Sequence, residues 1–75
     1  MTTINMIPVK SSNVEAIGYN EELCELHVRF KGGGHYIYEG IGASIYVAML
    51  NARSPGRMLA MDIKNKFKFR KVDVK

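Results

Sequence analysis

The chain has no tryptophan, a single cysteine and two prolines among its 75 residues. With only Cys24, no internal disulfide can staple the fold, which suits a reducing compartment. No apolar run is long enough to cross a bilayer. The longest uncharged stretch, Gly40–Ala52, is short and holds Ser44, Tyr46 and Asn51. The N-terminal stretch holds Ile4, Met6, Ile7 and Val9 without a basic start, so it does not read as a signal peptide. A soluble cytoplasmic protein is the expectation, bacterial or in a host cytoplasm if phage-encoded. Seventy-five residues suffice for one domain with a modest core, spanning 1–75 with its centre at about 6–72. A core this small also admits a homodimer.

Negative charge is scarce in one place. Residues 1–52 carry three Lys/Arg and five Asp/Glu, a net −2, while residues 53–75 carry eight and two, a net +6. Charge segregated in this way favours a phosphate-bearing or acidic partner.

The first half reads as strands. Val14–Tyr19 is rich in strand formers, and Asn20-Glu21-Glu22 makes a polar turn. From Cys24 to Lys31 the pattern alternates: Cys24, Leu26, Val28 and Phe30 point one way, Glu25, His27, Arg29 and Lys31 the other. Cys24 is therefore expected in the core as a small hydrophobe. Gly32-Gly33-Gly34 has free access to positive φ and serves as a hairpin turn into His35–Glu39. Tyr36 and Tyr38 have two readings, base-stacking aromatics on the sheet or core residues; cross-strand neighbours share a face, which favours the core beside Leu26, Val28 and Phe30.

Beyond Gly40 the period changes. Ile45, Tyr46, Met49 and Leu50 recur at helical spacing within Ile41–Ala52, with Gly42 or Ser44 as the cap. Ser54-Pro55 starts a second helix, with Ser at the N-cap and Pro at the first helical position. Leu59 and Ile63 mark its buried stripe. From Lys66 to Val74 basic and apolar residues alternate. This segment is expected to run extended, with an edge strand as one form of it, pinned by Phe67, Phe69 and Val72. The expected class is α+β: a three-stranded antiparallel meander, two short helices on one face, the other face open, and an extended basic C-terminal segment.

The order of these pieces resembles the KTSC domain, a family named for a segment at the C-terminus of some lysyl-tRNA synthetases and found as a stand-alone bacterial or phage protein. The resemblance runs through Ser11-Ser12, Ile17-Gly18-Tyr19, Leu26-x-Val28-x-Phe30 and Gly33-Gly34 before Tyr36-x-Tyr38. It continues through Tyr46, Leu50, Ala52-x-Ser54-x-Gly56-Arg57, Ile63 and Phe67-x-Phe69-Arg70-Lys71-Val72. It implies RNA binding, through the synthetase context, and brings no catalytic residue. The chain departs from the pattern after Gly56-Arg57, where Met58-Leu59-Ala60-Met61 replaces an aromatic followed by a polar residue.

No enzyme pattern emerges from the residues. Glu21, Glu22 and Glu25 cluster at a solvated turn, not in the enclosed site that a catalytic carboxylate pair needs. His27 and His35 flank the glycine turn and face each other on the polar side, where only Glu25 and Glu39 could add ligands to a metal. The glycine triplet lacks the spacing and the following Lys-Ser/Thr helix of a phosphate-cradling loop. What remains is charge. Arg53 and Arg57 bracket a helix start, where outward N–H groups favour anions. Lys64, Lys66, Lys68, Arg70 and Lys71 continue the positive surface. Lys66, Lys68 and Arg70 fall on one side of the segment, Phe67, Phe69 and Lys71 on the other. The expected function is a non-catalytic nucleic-acid-binding module, RNA favoured, without cofactor, gripping phosphates with these seven residues. Two alternatives stand beside it: a small adaptor or inhibitor binding an acidic protein surface, with Met61 as a sticky contact, and a binder of a small phosphorylated nucleotide at Arg53 and Arg57.

Overall fold

Alternation in the first half produces strands where β-branched and aromatic residues repeat every second position. In the computed structural model, which describes residues 4–63 and 66–72 apart from the side chain of Asp62, three such strands form a continuous meander. They are β2 (Val14–Asn20), β3 (Glu25–Phe30) and β4 (His35–Tyr38). The sheet is wider than the three strands expected. A two-residue strand, β1 (Ile7–Pro8), pairs with β2 on one side, and β5 (Phe69–Val72) pairs with β4 on the other. The result is a five-stranded antiparallel sheet in chain order. Pro8 sits on the edge, where its missing N–H costs no ladder bond. The basic segment thus becomes a true edge strand at Phe69–Val72; Lys64, Asp73 and Val74 of the expected positive tail lie outside the described residues.

The register explains which side chains meet. Ile17 pairs with Val28, Tyr19 with Leu26, Val28 with Tyr36, Leu26 with Tyr38, and Tyr38 with Phe69. One face is therefore apolar across the central strands, with Lys71 joining it at the β5 edge. A register shift between Val14 and Ala16 lets Val14 and Ile17 both serve that face although they stand three positions apart.

The helices cover this face. α1 runs Ala43–Asn51, and α2 (Pro55–Met58) continues as a wider π turn, Leu59–Ile63. Gly42 and Ser54 occupy the cap positions, yet neither supplies a side-chain cap hydrogen bond. Leu59 and Ile63 reach the core as their spacing requires, with Met49 and Ile41, against Val14, Ile17, Leu26, Val28 and Tyr38. Each such large apolar side chain contributes about 1.5–3 kcal/mol by leaving water.

Cys24 does not join them. It is exposed, with φ of 53°, because it closes the turn between β2 and β3 instead of opening the strand. That turn is organised by Asn20, whose Oδ1 accepts the N–H groups of Glu22 and Leu23 at 3.0 and 3.3 Å.

The opposite face is not fully open either. A Cβ at Gly18 would lie 2.6 Å from the Ile4 side chain and 2.9 Å from the Asn5 carbonyl oxygen. Residues 4–6 thus cross the sheet where glycine leaves room for them.

Candidate functional site

Two sequence features that lie far apart along the chain meet at the start of α2. Ser11 Oγ accepts the N–H of Val14 at 3.2 Å and that of Asn13 at 3.3 Å, and its hydroxyl donates to Asn13 Oδ1 at 2.9 Å. Gly56 packs directly on this loop: a Cβ there would sit 2.3 Å from Asn13 Oδ1 and 2.6 Å from Ser11 Oγ. The serine and glycine motifs are a structural joint between the first strands and the second helix.

The seven basic candidates do not form one strip. Arg53 is exposed and lines a depression with Ile7, Lys10 and Asn51. Arg57 is exposed beside a different one, with Ser54, Met58 and Met61, and its Nε–H donates to Met61 Sδ at 3.4 Å. The helix start they bracket is a single four-residue turn. Lys64 lies outside the described residues. Lys66 and Lys68 are exposed on the approach to β5, where the Lys68 carbonyl accepts the Glu39 N–H at 2.8 Å.

Arg70 and Lys71, adjacent in sequence, are separated by the pleat. Arg70 pairs with Ile37 on the face away from the helices. Its guanidinium reaches Glu25 and Glu39, each at 3.2 Å, so both carboxylates compensate its charge. Lys71 pairs with Tyr36 on the helix-bearing face; at the hairpin end it lines a hollow of about 590 Å³ with Lys31 and with Arg29 and His35, which come from the opposite face. Arg29 and Lys31 belong to the acidic half of the chain, so charge counting by segment passed over them. Arg29 has Glu15 at 3.7 Å as its ion-pair partner.

Next to this hollow lies an aromatic ledge. Tyr38 is buried, as expected, but Tyr36 is only half-buried and Phe69 is 52% exposed. Phe30 meets Tyr36 edge-on at 5.4 Å, and Phe69 tilts against Tyr36 at 5.8 Å. The helices end short of this corner of the sheet. Alternation could assign these rings to a face but not measure how far the helices extend over it.

On the other face His27 and His35 meet as the alternation required, with His27 Nδ1 and His35 Nε2 3.0 Å apart. One ring must donate and the other accept, so the accepting ring is neutral when bonded. Burial lowers the His27 pKa, with the His35 and Arg70 charges acting the same way and Glu25 opposing them. Burial and then Arg29 lower that of His35. His27 Nε2 is buried without a hydrogen-bond partner among the described residues. Among those residues no group of three or more His, Cys, Asp or Glu gathers to hold a metal ion, and no helix is long and apolar enough to cross a membrane.

Comparison with known proteins supports the fold and the family. A protein of Tsukamurella paurometabola is 36% identical over 63 residues, covering 84% of this chain and 94% of its own length. The crystal structure of a KTSC domain protein from Yersinia pestis superposes with a TM-score of 0.89 at 32% identity, covering 95% of this chain and all of the other. The family model of the KTSC domain matches residues 10–67, and the chain belongs to that family.

Proposed function

We propose that this KTSC domain is a non-catalytic nucleic-acid-binding module, RNA favoured, that holds phosphates through its basic C-terminal third. The observation that carries this reading is the net +6 of residues 53–75 against −2 in the rest of the chain. Arg53, Arg57, Lys66, Lys68 and Lys71 are the groups available to phosphate, with Lys64 as a further candidate from the sequence. Arg70 contributes less, because two carboxylates already compensate it. Arg53 and Arg57 line separate depressions, which favours an extended polyanion over a compact nucleotide held by both.

Titration of labelled single- and double-stranded oligonucleotides at two salt concentrations tests the proposal. Three or four phosphate contacts to a single strand weaken affinity by about 20- to 50-fold between about 50 and about 200 mM salt. Absence of binding at the lower salt refutes it. A second reading, an adaptor for an acidic protein surface, is favoured by Met61, which is 61% exposed beside Arg57. A saturable protein partner whose capture is lost in Met61→Asp, with no oligonucleotide binding, would establish that reading instead.

A further inference from the structure

At the β3–β4 hairpin, two hollows of different chemistry share a wall. Phe30, Gly33, Tyr36, Tyr38 and Phe69 line an apolar depression of about 310 Å³. Arg29, Lys31, His35 and Lys71 lie around the larger cationic one, with Glu15 on its rim. Phe30 and Gly33 line both. Gly33 adopts φ of 95°, and the space where its Cβ would stand is open, so this position places no side chain between the two.

The aromatic surface here is accessible. Phe69 is half-exposed and Tyr36 half-buried, with Phe30 edge-on behind Tyr36. Tyr38, on the same strand, is by contrast buried in the core. Among the described residues the cations beside them outnumber their compensation: Glu15 is the one carboxylate lining the hollow, 3.7 Å from Arg29. An apolar peptide would fill the ledge yet leave Lys31 and Lys71 unmatched. A planar ring carrying a phosphate satisfies both hollows at once, because bases stack on aromatic faces while phosphates seek lysine and arginine.

We propose that this corner of the sheet is a nucleotide subsite for single-stranded nucleic acid. A base stacks on Phe69 and Tyr36, and its phosphate sits among Lys71, Lys31 and Arg29. The proposal rests on the nucleic-acid reading above and adds strand selectivity to it, since bases inside a duplex are not free to stack on the ledge.

The test measures fluorescence anisotropy with a labelled single-stranded RNA, an abasic strand of equal length and charge, and a duplex. The wild-type protein is expected to bind the single strand at least about fivefold more tightly than the abasic strand. Phe69→Leu, which keeps apolar bulk on an exposed position, loses that preference, whereas Phe69→Trp retains it. A thermal melt of each variant verifies folding. Equal wild-type affinity for the single and abasic strands overturns the subsite while leaving phosphate binding intact, and so does an unchanged preference in folded Phe69→Leu. No binding to any strand overturns the phosphate reading and the subsite with it.

Discussion

The two faces of the sheet use similar strands for different ends. On one, Ile17, Leu26, Val28 and Tyr38 are sealed under the helices, and apolar surface emerges at the Phe30–Tyr36–Phe69 corner. On the other, residues 4–6 cover Gly18, while His27, His35 and the Glu25–Arg70–Glu39 bridge occupy the surface. The difference is sharpest in β5. Its pleat directs Arg70 to two carboxylates and Lys71 to the opposite face, where no ion pair holds it among the described residues. Charge along a strand therefore does not sum into one surface. Each cation takes the electrostatics of the face it lands on.

Removing the apolar seal should have the largest effect. Leu26→Ala opens a cavity under the helices and is expected to cost about 2–5 kcal/mol, read from urea or thermal unfolding. In a domain this small, that loss unfolds much of the population. Gly56→Ala should follow, at about 1–3 kcal/mol, because its methyl enters the space held by Asn13 and Ser11. Equal stability of Gly56→Ala and wild type would show that the joint at α2 yields freely.

The polar face is examined through pH. Both histidines titrate below their ordinary value in the folded protein, so the native state binds fewer protons than the unfolded chain. Their contribution to stability is complete above the unfolded value of about 6.5 and is lost as pH falls through it toward the folded values. Urea midpoints should decline over this window, and replacing both histidines by glutamine should flatten the decline.

The comparison within β5 gives smaller effects that separate in kind. Arg70→Ala is expected to lower stability by up to about 1 kcal/mol and to leave the salt dependence of oligonucleotide binding nearly unchanged. Lys71→Ala should leave stability within about 0.5 kcal/mol and reduce the salt slope by about 0.7, one phosphate contact on a single strand. Equal slopes for the two variants would remove the distinction between the faces. Cys24→Ser, at an exposed turn position, should change the melting behaviour least.

The alternation from Leu26 to Phe30, the glycine turn and the Leu59–Ile63 stripe were legible in the sequence. Each is a local pattern whose period or turn chemistry is set by near neighbours. Cys24 shows the limit of such patterns: it continues the alternation in register, but positive φ takes it out of the strand. The two-residue β1 is too short to carry any period. At the candidate site, the basic character of residues 53–75 was visible, but the companions of Lys71 were not, because Arg29 and Lys31 arrive from another strand.

The sequence by itself determined where strands and helices form, which side chains alternate, and that positive charge accumulates after residue 52. Tertiary structure alone decided which cations remain available. Arg70 finds Glu39 31 residues away and Glu25 45 residues away, partners that only the register of β5 on β4 and β3 can supply. It also decided that Phe69 and Tyr36 remain open beside Lys71 while Tyr38 is sealed, since exposure depends on how far the helices extend over the sheet. Local patterns specify elements because their causes lie within a few residues. Pairing and coverage are long-range, and no short stretch of the chain contains both partners.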